Sequence, residues 1–123
     1  MGLRAWTPER GPGVGEGLKA LQPVLPGARL VLSGGLNRPP MEPTEASLAL
    51  FAKARAIGEA LGLRLEPGRV GGGSDGNFTA ALGVPTLDGL GLFGGDAHQK
   101  TEYVVVPEIP RRTALLAELL AAL

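Results

Sequence analysis

"GGGSDGNFTAALGVPTLDGLG", residues 71–91, is the stretch on which the fold turns. Its first six residues match G-x-G-x-x-G, behind a strand-like "LRLEPGRV" (63–70) and ahead of a helical stretch. A dinucleotide site of that form needs a long helix and an acid about 20 residues further on, at the end of the next strand. Here the helix runs for about two turns before Leu82-Gly83, and Asp88 comes too early. "GLGLFG" (89–94) matches the same pattern, as a glycine-rich chain will do by accident. The stretch is therefore read as a tight turn with close backbone packing. Ser74 or Asp75 can cap the helix behind it, and the exposed amides could also hold a carboxylate. "VPTLDGLG" then reads as a short buried strand entering a glycine-rich loop.

The flanks extend the same alternation. Upstream, "TEASLALFAKARAIGEAL" (44–61) is the clearest helix: Thr44 suits the N-cap and Glu45 the first turn. Leu50, Phe51, Ala54, Ile57 and Leu61 form one stripe, and Gly62 closes it. Further upstream lie a glycine- and proline-rich lead-in (1–13), a weak helix (14–22) ended by Pro23, and a strand near 28–33. "LNRPPMEP" (36–43) should be extended, since prolines restrict both themselves and the residue before them. Downstream, a strand is expected near 102–106 and a helix over 110–122. That helix carries Leu115, Leu116, Leu119 and Leu120 on one face, and Arg111 and Arg112 as a solvated face. The expectation is an α/β sandwich of about four strands and four helices, two of them short.

Composition narrows the function classes. The 123 residues suffice for one domain with a core, and 44% hydrophobic content argues for a globular chain. Twelve basic residues balance twelve acidic ones, and no basic patch interleaved with aromatics appears, so a nucleic-acid partner is not expected. The absence of cysteine excludes disulfides and thiolate metal sites. No apolar run approaches the ~20 residues of a membrane span, and the N-terminus lacks a signal peptide's apolar core. A cytoplasmic protein is the expectation.

The chain's one histidine, His98, lies in "GGDAHQKTEYV" (94–104). Alone it is a surface or structural residue. Its setting, flanked by glycines and followed by Glu102 and a strand, fits a functional loop instead. Asp96 and Glu102 are near in sequence but do not make a metal site with it, since zinc generally takes three or four protein ligands. Asn37 and Arg38 precede two prolines; such an arginine is either a surface residue or a fixed carboxylate clamp.

Three segments in this order, "LNRPPMEPT" (36–44), residues 71–91 and "GGDAHQKTEYVVVPEIPRRTALL" (94–116), closely resemble the C-terminal third of the zinc-dependent glutamate carboxypeptidase and aminoacylase family of metallopeptidases. The resemblance runs from about residue 18 to the end. It implies an incomplete, phosphorylase/hydrolase-like α/β sandwich. Residues 1–36 would be a remnant of the lid and dimerisation domain, and residues 37–123 the C-terminal part of the catalytic domain. It also implies hydrolysis of an amide bond next to a free carboxylate, with zinc as the cofactor of the complete enzyme. By position, His98 resembles the family's last zinc ligand, Arg38 an arginine that binds the substrate carboxylate, and Gly73 a backbone position near the substrate. Asn37 is counted with the substrate-binding group, and Asp75 and Asn77 with the support of the loop.

The departure from the family is equally specific. The sequence has no His-x-Asp and no Glu-Glu pair, which in the family provide most of the metal site and the general base. No residue of this chain is therefore assigned as catalytic. The chain is expected to be inactive alone, to bind zinc weakly if at all, and to self-associate as a homo-oligomer, most simply a dimer, or to pair with an N-terminal partner chain. Two further readings stay open: a non-catalytic oligomeric or partner-binding module, and the remnant of a broken gene.

Overall fold

The computed structural model describes residues 7–123. Residues 1–6 of the expected lead-in lie outside the described residues. The helices are α1 (Arg10–Lys19), α2 (Glu45–Ala60), α3 (Gly76–Ala81) and α4 (Ile109–Ala121). Two short strands, β1 (Gly94–Gly95) and β2 (Tyr103–Val104), form an antiparallel pair, and a 3-10 turn (Val106–Glu108) leads into α4. These elements fall into two compact units. One comprises Met1–Pro43 with Gly71–Val84, the other Thr44–Val70 with Pro85–Leu123.

The second unit holds the core. Helices α2 and α4 pack on each other, and Ala54, Leu115 and Leu119 are buried. The expected stripe of α2 is the packed face: Leu50, Phe51, Ile57 and Leu61 are half-buried around Ala54. Both ends of α2 follow from local sequence. The Thr44 hydroxyl accepts the Ser47 amide at 3.1 Å, which satisfies one of the helix's otherwise orphaned N–H groups. At the other end Gly62 takes φ +71°, and the amides of Leu63 and Gly62 donate to the carbonyls of Gly58 and Glu59 at 2.7 and 3.0 Å. That is a Schellman termination, which needs a left-handed residue where glycine stands. Helix α3 of the first unit ends the same way, with Gly83 and Val84 donating to Ala80 and Thr79.

Helix α4 begins and ends within one residue of expectation, but the four leucines do not share a fate. Leu115 and Leu119 face α2, whereas Leu116 and Leu120 stay exposed. One partner helix covers a single stripe, and the neighbouring positions lie beyond it. Arg112 corrects the expectation of a solvated arginine pair. Its Nε and Nη2 donate to the carbonyls of Gly91 and Gly89 at 2.8 and 2.9 Å, so it holds the glycine-rich loop. Arg111 remains an exposed residue with an ion pair to Glu108.

Helix α1 starts earlier than the expected 14–22 and ends sooner. Its first turn accommodates Pro12, because N–H groups there have no intrahelical partner to lose. No residue of α1 is buried.

The strands differ most from expectation. Four were expected; among the described residues two are paired, and the segments near 28–33, 63–70 and 84–88 carry no regular structure. The strand expected over 102–106 reduces to Tyr103–Val104, cut short by the turn at Val106 and Pro107. The physical reason is that a strand's N–H and C=O groups need a neighbouring strand, while a helix satisfies its own. The chain is thus mixed, helical with a small antiparallel sheet, and compatible with part of an α/β domain. Among the described residues no helix is long and apolar enough to cross a membrane.

Candidate functional site

The first candidate region is built around Arg38. Two prolines follow it and restrict the backbone of the segment. Asn77 ties that segment to the turn before α3: its Nδ2 donates to the Pro39 carbonyl, and its Oδ1 accepts the Ser74 amide, both at 2.8 Å. The Ser74 hydroxyl accepts the Gly76 amide at 2.9 Å and stiffens the turn. That bond turns the chain on its approach to α3 and is not the N-cap bond expected of Ser74 or Asp75. Asp75 makes no cap bond.

The Asp75 carboxylate instead accepts a hydrogen bond from Arg38 Nη1 at 2.8 Å. The same guanidinium lies 5.0 Å from the centre of the Phe78 ring, within cation–π range. Gly73 completes the cradle, since a Cβ there would stand 3.1 Å from Arg38 Cδ. The structure therefore brings Arg38 and Gly73 together, with Asp75, Asn77 and Phe78 around them. Asn37 is exposed beside them. Phe78 carries no signal of its role in the sequence, because nothing local announces that an aromatic in α3 meets an arginine 40 positions earlier.

The second candidate region is the loop from 96 to 102 that joins β1 to β2 in the other unit. Gly94 is glycine for lack of room, since a Cβ there would meet the Tyr103 backbone; one at 95 would stand 2.8 Å from the exposed Tyr103 ring, which would have to shift. The pairing continues past the strands, with the Val105 amide donating to the Phe93 carbonyl at 2.8 Å. The loop between them is turned by hydrogen bonds from Gln99 to Asp96 and from Glu102 to Gln99. His98 stands on this loop, exposed, with φ +67°, and Asp96 has φ +56°. Left-handed backbone costs a side-chain-bearing residue about 1 kcal/mol or more, and such strain concentrates at functional sites.

The zinc implied by the resemblance can be tested against this loop. Among the described residues no group of three or more His, Asp or Glu side chains could hold a metal ion. One exposed imidazole does not by itself fit a zinc ion, which takes three or four protein ligands.

The two regions are a held arginine on one unit and a strained histidine loop on the other. The family model for peptidase family M20/M25/M40 matches residues 11–122, and the chain belongs to that family. The chain is also similar to carboxypeptidase G2 of Pseudomonas sp. (strain RS-16), with 36% identity over 105 residues. That stretch is 83% of this chain and 25% of the relative, so the chain spans about a quarter of the relative's length. No solved structure matches the chain.

Proposed function

We propose that this chain supplies the carboxylate-binding side of a peptidase that hydrolyses an amide bond next to a free carboxylate. Arg38 is the clamp, with the backbone at Gly73 and the side chain of Asn37 as further substrate-binding groups. His98 is one zinc ligand of a site whose remaining ligands come from outside this chain. The observation that carries the reading is the cradle of Arg38. A guanidinium fixed by an ion pair, a ring and a glycine is prepared for planar recognition of a carboxylate. In this reading residues 1–36 are a lid remnant and 37–123 belong to the catalytic domain. The segments near 28–33, 63–70 and 84–88 gain their ladders, and the sandwich its four strands, once the rest of the domain lies beside them.

By itself the chain lacks a water-activating base, so it binds the carboxylate end of an acyl-amino acid without cleaving it. The test is an amidase assay with N-acyl-glutamates, with and without zinc, beside a binding titration. Arg38-dependent binding without turnover is expected. Zinc-dependent turnover that disappears in His98→Ala would overturn the assignment.

A second reading rests on a separate observation. Every large apolar side chain from Leu21 to Leu36 is about half exposed or more, Val24 at 94%. Such a run suits association, and the occupant proposed is a second copy of this chain in a two-fold pair. Light scattering at micromolar concentration tests it; a sharp monomer mass defeats it.

A further inference from the structure

We infer that Asp75 and Phe78 are positioning residues for Arg38, and that Asp75 orients the guanidinium rather than competing for it. The inference rests on the carboxylate-clamp reading and adds to it the residues that set the clamp's direction. The contact of Asp75 is one-sided: its Oδ1 takes Nη1. A guanidinium carries five donors in a planar fork, so a bond at Nη1 leaves the Nε–Nη2 edge able to receive a second carboxylate in bidentate fashion. Phe78 lies against the guanidinium at 5.0 Å, and Gly73 leaves room for the arginine stem at Cδ. Two contacts of different chemistry thus restrict the plane and the in-plane rotation of a side chain that is otherwise rich in rotamers.

The alternative is that Asp75 occupies the clamp as an internal substitute for the ligand. Two features weigh against it. A substitute would be expected to take the two-donor edge that a ligand carboxylate prefers, and Asp75 does not. The Asp75 side chain is also 93% exposed, so water and salt damp its repulsion of an incoming anion. The Asn77 tether holds the backbone at Pro39 and the ring lies against the guanidinium, which leaves its rotation to be set by the bond to Asp75.

The experiment uses the full chain and glutarate as the probe, followed through the Nε–H resonance of Arg38 by nitrogen-edited NMR. Arg38→Lys assigns that signal. In the wild-type chain glutarate should shift it saturably. In Asp75→Ala the midpoint should rise about two- to tenfold, the range expected when one side chain must be ordered on binding. Asp75→Asn, which keeps an acceptor oxygen, should lose less. The ring-current shift of the Arg38 δ protons should shrink in Asp75→Ala and vanish in Phe78→Leu, while the backbone amide spectrum away from residues 73–78 stays unchanged. That pattern separates positioning from a general structural role. An equal midpoint in wild type and Asp75→Ala, or a tighter one in the variant, overturns the positioning role and leaves the clamp standing. No response of Arg38 to glutarate in the wild-type chain overturns the clamp itself, and the positioning role with it.

Discussion

The helix pair α2–α4 and the run from Leu21 to Leu36 are both rich in leucine, and they end in opposite states. Leu115 is fully buried against α2, whereas Leu25 is 74% exposed and Val31 73% exposed. A helix closes its own backbone hydrogen bonds and then needs one apolar neighbour to cover one stripe. An extended segment needs a neighbour twice over, for its ladder and for its side chains. The same hydrophobic content therefore yields a core where two helices meet, and an open surface where an extended segment has no paired strand among the described residues.

Substitutions at the two places should separate most widely. Leu115→Ala should cost about 2–5 kcal/mol, the range for a buried leucine that leaves a cavity, read as a lower urea midpoint. With Ala54 and Leu119 the other buried apolar residues among those described, such a loss is expected to melt the α2–α4 pair outright. Gly62→Ala comes next. It forces a Cβ into φ +71° and to within 3.0 Å of Arg111 Nη2, and should cost about 1–2 kcal/mol by the same measurement. Thr44→Ala removes the N-cap of α2 and should cost about 1 kcal/mol, with loss of amide protection confined to the first turn.

The fourth prediction has the opposite sign. His98 and Gly62 have nearly the same φ, +67° and +71°, yet one carries an imidazole. His98→Gly should relieve that strain and raise stability by a few tenths to about 1 kcal/mol in thermal unfolding. An unchanged or lowered melting temperature would mean that the imidazole makes a stabilising contact in solution that compensates its backbone. The smallest effect is expected in the open run: Val31→Ala should lie within about 0.5 kcal/mol of wild type. A cost approaching that of Leu115→Ala, especially one that grows with protein concentration, would break the comparison and place Val31 in a subunit interface.

The parts legible in the sequence are those whose causes are close in the chain. Thr44 as a cap, the apolar stripe of α2 and the closures at Gly62 and Leu82-Gly83 each depend on residues within a few positions. Helical hydrogen bonds also span four residues. The resemblance to the peptidase family is likewise carried by contiguous segments, and those segments contain Arg38, Gly73 and His98. The turn at residues 74–76 is local too, since the Ser74 hydroxyl accepts the Gly76 amide, but the close backbone packing expected of the 71–76 glycines is not seen at Gly72, which has open space around it.

Tertiary structure decided what depends on distant partners. Asp75, which with Ser74 was one of two possible caps, pairs instead with Arg38, 37 positions earlier, whose stem lies across Gly73. Arg112, expected in solvent, is drawn to carbonyls 21 and 23 positions earlier. Leu116 and Leu120 are separated from Leu115 and Leu119 by the single helix available to cover them. Strands are fixed only where a second strand lies alongside, as Gly94–Gly95 does with Tyr103–Val104. Local sequence accounts for α2, for the close of α3, for α4 to within one residue and for the family, but not for the ends of α1, since what was legible rests on local hydrogen bonds and contiguous motifs. The ladders, the choice among leucines and the company of Arg38 depend on residues far apart in the chain, and only the folded structure could bring those together.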